Sequence, residues 1–161
     1  MVREETIRDI TSFGGLPLYI AIGFFFLFTG SPVLAVQLAA GLIFAYIITV
    51  FCRTVYFKQR PVPQKYANKF YKLDASSFPS LHALRSAVLW TLVALSYNAA
   101  ALYVIAAVVI VTVAWTRIQQ KRHDKVDVSF GVLFGLLIAY AVSLAVTQDF
   151  VSTYFPFFLQ F

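Results

Sequence analysis

The 161-residue chain has one cysteine, Cys52, so no disulfide can close within it, and its only imidazoles are His82 and His123. Acidic residues are scarce too, with seven Asp and Glu against 13 Lys and Arg. Two histidines and few carboxylates are poor material for a zinc or magnesium cage. Charged residues of both signs make up 12% of the chain and hydrophobic residues 60%, with a mean hydropathy of +0.78. Soluble domains carry about 25% charged residues, so a soluble fold is excluded and a polytopic membrane protein is implied. No Pro/Ser/Gly linker, low-complexity tract or internal repeat divides the chain, and residues 1–161 read as a single membrane-embedded domain. An Ala-x-Ala-like cleavage site is absent, which argues against a cleaved signal peptide.

What is abundant is apolar runs and phenylalanine, 17 of them. The runs predict an all-α transmembrane bundle of five, possibly six, helices, with spans at about 10–29, 33–52, 78–97, 99–116 and 128–146. Gly14, Gly15 and Pro17 interrupt the first span, which could begin only near Leu16. Gly30-Ser31-Pro32 and Asn98 are the short turns. Between the second and third spans, Tyr66, Phe70 and Tyr71 interleave with Lys65, Lys69 and Lys72 at the spacing of an interfacial helix. The chain ends in an aromatic belt, Tyr154 to Phe161. Gly131-x3-Gly135 reads as close helix packing.

Ten of the 13 basic residues fall in two segments, Arg53 to Lys72 and Arg117 to Lys125. Two spans separate these segments, so both emerge on one face, and everything capable of chemistry is expected there. A basic chain that is mostly lipid-soluble points to anionic headgroups or an anionic substrate and away from nucleic acid. Arg3, Arg8, Lys121 and Arg122 read as anchors against lipid phosphates. Arg85, just inside the third span, needs a partner or a function; Asp74 and a substrate phosphate are the two candidates.

Three clusters meet on the polar face. Arg53 and Arg60 are seven residues apart, nearly two helical turns, and point the same way if the second helix continues. Pro79-Ser80-Leu81-His82 opens the third span, where unpaired amides and a positive dipole end suit a phosphate. Arg117 precedes His123 by six residues, and Asp127 follows His123 by four, one turn on if the segment is helical. A carboxylate there can hold one ring nitrogen and leave the other as nucleophile or base. Asp124, adjacent to His123, cannot share its helix face.

Arg-x6-Arg-Pro, Pro-Ser-x-His and Arg-x5-His-x3-Asp, in this order between Arg53 and Asp127, resemble the three-part signature of the type 2 phosphatidic acid phosphatase superfamily, in its integral membrane lipid phosphatase branch. The chain departs from that pattern in having Arg53 for the usual Lys, Leu81 for the usual Gly and Thr116 for the usual Ser. The resemblance implies metal-independent hydrolysis without cofactors: His123 as nucleophile, Asp127 orienting it, His82 as acid and base. It also implies a phosphate cradle of Arg53, Arg60, Ser80, the Leu81 amide and Arg117. The implied substrate is a membrane lipid phosphate or diphosphate, polyprenyl diphosphate first, then phosphatidic acid or phosphatidylglycerophosphate, with the tail entering sideways near the third and fifth spans. Two other readings are a non-catalytic lipid-phosphate-binding protein and a vanadate-dependent haloperoxidase-like enzyme. The basic clusters place the site in the cytoplasm under the positive-inside rule, whereas members of the resembled family often act on the other side; the two arguments oppose each other. Nothing in the sequence sets the oligomeric state.

Overall fold

The computed structural model describes residues 4–64 and 66–159, with the backbone alone for Lys69, Phe70, Phe158 and Leu159. The order is α1 (Glu4–Ser12), α2 (Leu16–Phe28), α3 (Pro32–Val55), α4 (Lys69–Ala75), α5 (Leu81–Tyr97), α6 (Ala100–Gln119), α7 (Lys125–Ala145), α8 (Gln148–Tyr154) and a final 3-10 turn, Pro156–Leu159. The fold is all-α. Among the described residues, four segments are long and apolar enough to cross a membrane: Glu4–Phe28, Pro32–Val55, Ala100–Gln119 and Lys125–Ala145. The apolar α5 is shorter, 17 residues, or about 25 Å at 1.5 Å per residue.

The pillar of the bundle is α5. It packs most extensively against α7, then α6 and α3, and every residue from Ala83 to Leu89 is buried. Leu84, Val88, Leu89 and Leu92 join Leu38, Ala45, Ala139 and Val142 in one core. Lipid tails are as apolar as these side chains, so close dispersion contact rather than water exclusion holds such helices together. Small residues make that contact possible. A Cβ on Gly135 would lie 2.5 Å from the Ala87 Cβ and 2.6 Å from the Leu84 carbonyl oxygen, and one on Gly131 would lie 2.6 Å from the Ser80 oxygen.

Helix ends differ from the sequence expectation where chemistry begins. The first apolar segment is two helices: α1 stops at Ser12, and α2 starts at Leu16 with Pro17 in its first turn, a position proline favours. Gly14 lies in the break because a Cβ there would sit 2.6 Å from the His82 carbonyl oxygen. The third expected span begins only at Leu81, since Pro79 keeps the residue before it out of helical conformation. Asp124 caps α7, which therefore starts at Lys125 and takes Asp127 into its first turn. The interfacial helix is a shorter one, α4, started by the Asn68 side chain accepting from the Tyr71 amide at 3.0 Å; Lys65 lies outside the described residues. Of the expected aromatic belt, Gln160 and Phe161 also lie outside them.

Candidate active site

The C-terminal ends of α3 and α6 and the N-terminal ends of α5 and α7 meet at one end of the bundle. Arg53, in the last turn of α3, is buried and donates to the carbonyls of Leu73 at 3.2 Å and Pro79 at 3.3 Å. It ties the helix to both later segments. Arg60 does not follow on the same helix: α3 ends at Val55, and Tyr56, the residue after it, is extended, so the seven-residue spacing was not a helical one. Arg60 nonetheless comes within electrostatic reach of Arg53, held by hydrogen bonds to the Gln64 side chain and the Asp74 carbonyl. Arg117, in the last turn of α6, donates to the Gln120 Oε1 at 2.6 Å. Gln120 in turn donates to Thr11, whose hydroxyl bonds Thr116, so α1 braces this corner.

Ser80 is the N-cap of α5, but its hydroxyl makes no capping bond. Its amide donates to the Asp127 carbonyl at 3.0 Å, which leaves the amides of the first turn of α5, beginning with Leu81, at the open helix end. Leu81 occupies the first helical position; among the described residues only Asn98 and Lys121 are non-glycines with positive φ. A leucine therefore fits here without backbone strain. Buried polar atoms without partners collect at this end: Ser80 Oγ, Ser86 Oγ and the Nε atoms of Arg53, Arg60, Arg85 and Arg117. Buried donors are ordinarily satisfied, and this concentration of cationic ones could serve an oxyanion as its donor set.

His123 lies in the loop before α7, not on a helix shared with Asp127. Its ring is 3% exposed. Nδ1 is 2.7 Å from the Ser77 carbonyl oxygen, which can only accept, so the proton is on Nδ1 and the lone pair on Nε2. Asp127 stands further off, its Oδ2 3.7 Å from Nδ1. The expected aspartate is thus present as a neighbouring charge, while a backbone carbonyl fixes the tautomer. Burial pushes the imidazole below its usual pKa, and Arg117 and Arg60 act in the same direction; Asp127 opposes them. The imidazole is therefore held in its neutral form at neutral pH. His82, second residue of α5, is half-buried and feels the charges of Arg117, Arg85, His123 and Arg60.

Lys58 was not among the sequence candidates. Its Nζ bridges Asp124 Oδ2 at 2.5 Å and Asp127 Oδ1 at 2.8 Å. Burial alone would lower its pKa, but the hydrogen bonds to the two carboxylates outweigh burial and hold it above the ordinary value. The Lys58 carbonyl also accepts from the Ser77 amide at 2.8 Å. Both supports of His123, the Ser77 carbonyl and the Asp127 carboxylate, are therefore tied to the same residue. Asp124 and Asp127 complete the arrangement with a reciprocal capping box at 2.9 and 3.0 Å.

A hollow of about 1200 Å³ between α1 and the end of α6 opens onto Arg117, with Arg8, Thr11 and Arg122 in its walls. A second, apolar hollow of about 330 Å³ lies between α6 and α7, lined by Ala114, Val128, Val132 and Leu136. The third and fifth expected spans, α5 and α7, are in close contact at Gly131 and Gly135. Among the described residues, no three His, Cys, Asp or Glu side chains come together as a metal site requires.

An all-α membrane bundle carrying a buried, tautomer-fixed histidine beside several unpaired guanidinium donors defines a class of phosphate-handling membrane enzymes. The PAP2 superfamily model matches residues 34–150, and the chain belongs to that superfamily; it is a multi-pass membrane phosphatase of the PAP2 type. Its fold is similar to the crystal structure of the transmembrane PAP2-type phosphatidylglycerolphosphate phosphatase from Bacillus subtilis, at a TM-score of 0.71 and 23% identity over 89% of this chain and 78% of that one. No curated protein matches the sequence significantly.

Proposed function

We propose that the protein hydrolyses a membrane lipid phosphate or diphosphate through a phosphohistidine on His123, without a metal ion. The observation that carries this reading is the Nδ1 contact to the Ser77 carbonyl, which leaves Nε2 unprotonated on a ring that feels the charges of Arg117 and Arg60. Nε2 attacks phosphorus, the bond to the lipid oxygen breaks, and His82 gives that oxygen its proton. The imidazolium that results is stabilised by Asp127. His82 then takes a proton from water, the water oxygen attacks phosphorus, and the P–N bond breaks to release inorganic phosphate. Arg53, Arg60, Arg117, Ser80 and the Leu81 amide spread the charge on the transferring group.

A polyprenyl diphosphate is the favoured substrate; phosphatidic acid and phosphatidylglycerophosphate follow, the last because a structurally similar protein is a phosphatidylglycerolphosphate phosphatase. The test is phosphate release by the purified protein in detergent with EDTA present, on all three lipids. Wild-type release that His123→Ala lowers by roughly 10⁴-fold or more supports the reading. Release that EDTA abolishes, or that survives in His123→Ala, overturns it.

A further inference from the structure

Arg85 and His82 are the only charged or titratable imidazole groups on α5, and the reaction above uses only His82. Arg85 is 4% exposed. Asp74, a candidate partner from the sequence, is not bonded to it. Its one hydrogen bond goes to the Tyr46 hydroxyl at 3.1 Å, and its guanidinium carbon lies 6.0 Å from the centre of the Tyr46 ring. No carboxylate forms an ion pair with it among the described residues, and its Nε is buried without a partner. A neutral phenol is a weak partner for a guanidinium removed from water, and a charge held this way in a membrane helix marks a functional position.

Its location names the ligand. Arg85 follows His82 by three residues on the same helix face, about 4.5 Å further from the site end of α5. Its charge reaches both His82 and Arg117. We propose that Arg85, with Tyr46, is a second phosphate subsite that binds the phosphate of the leaving group when the substrate is a lipid diphosphate. The proposal rests on the reading that the terminal phosphate is transferred to His123. In a diphosphate, the bond that breaks joins the terminal phosphorus to the bridging oxygen, and the electron pair leaves on that oxygen, beside His82. The second phosphorus is one link nearer the lipid tail and therefore deeper, at the level of Arg85. The products are a lipid monophosphate and, after water cleaves the phosphohistidine, inorganic phosphate. A lipid monophosphate presents an uncharged carbon at that depth and leaves the guanidinium with Tyr46 alone. The subsite thus makes the enzyme discriminate in favour of diphosphates.

The experiment compares a matched prenyl diphosphate and prenyl monophosphate with the full-length protein, as the ratio of their kcat/KM values. Losing a charge-assisted hydrogen bond to the second phosphate lowers that ratio about ten- to hundredfold in Arg85→Gln, with partial return in Arg85→Lys. An unchanged ratio, with both substrates falling together, overturns the subsite and leaves Arg85 a structural residue. Because a buried arginine variant can fail to fold, direct binding to the wild type is measured alongside by isothermal titration calorimetry: methylenediphosphonate is expected to bind at least about tenfold more tightly than inorganic phosphate, and equal binding overturns the proposal. Wild-type protein that releases phosphate from neither prenyl lipid, nor from phosphatidic acid or phosphatidylglycerophosphate, refutes the phosphatase reading, while the diphosphonate binding comparison still tests for a second phosphate subsite.

Discussion

The two ends of α5 are built on opposite terms. At the site end, from Ser80 to Ser86, the helix carries buried hydroxyls and a buried guanidinium with unpaired atoms, flanked by three more arginines. Beyond Ala87 it is apolar, packs Val88, Leu89 and Leu92 into the core, and closes at Asn98 in a left-handed turn. Among the described residues, no buried side-chain polar atom of the far end lacks a partner, whereas the site end holds cations close together and leaves donors unpaired. Like charges near one another, and donors without acceptors, cost folding energy. A bound anion would relieve that cost at the site end, whereas the far end is built for packing. Substitutions at one end should change rate, and at the other stability.

The sharpest break of that comparison is His123→Ala, already expected to remove roughly 10⁴-fold or more of the activity; thermal unfolding should change far less than the rate. Lys58→Met comes next. Its loss frees two carboxylates, one of them fully buried, and loosens the loop that presents His123, for an expected fall in kcat of about ten- to hundredfold. The pH profile carries a sign. In the wild type, burial holds the His123 pKa below its ordinary value, so activity persists below the usual histidine range and is lost as pH falls through that depressed pKa. Without Lys58, the charge of Asp127 facing the ring is uncompensated and favours imidazolium. The acidic limb of kcat/KM should then move to higher pH. A limb that stays put or moves down would show that Lys58 acts only as a structural brace.

Much of this site is legible in the sequence, and the part that is not has a common cause. Arg53, Arg60, His82, Arg117, His123 and Asp127 sit in short motifs, where residue type and spacing suffice to bring them to one end of a bundle. The helical reasoning attached to two of those spacings did not survive: α3 stops before Arg60, and His123 lies in a loop. The chain brings both pairs together by tertiary routes instead. Lys58 was one of ten clustered basic residues, and its partners are 66 and 69 positions away. The acceptor that fixes the His123 tautomer is a backbone carbonyl 46 positions away, and no side chain advertises it. Leu81 shows the reverse case, where a departure from the family pattern is absorbed because the position is helical.

Two smaller predictions address the packing half. Gly135→Ala should gain about 1 kcal/mol from helix propensity alone. The Cβ would instead collide with Ala87 and the Leu84 carbonyl, and overpacking costs about 1–3 kcal/mol. A lowered melting temperature in detergent is expected, with activity falling too, because α7 carries Asp127. A raised one would mean that α5 and α7 are not in such close contact.

Asn98→Ala should have the smallest effect on activity. Asn98 holds φ at 44°, and its side chain accepts from the Tyr103 hydroxyl at 3.1 Å. Alanine in the left-handed region costs about 1–2 kcal/mol, and the exposed hydrogen bond adds little to that. Asn98→Gly removes the conformational penalty while also losing the hydrogen bond, so the difference between the two variants isolates the turn. Both should keep the wild-type kcat/KM, since the substitution lies at the end of α5 away from Arg85 and His82. A change in rate without a change in melting temperature would show that the two ends of α5 are coupled, and the division between a reactive end and a packed end would have to be abandoned.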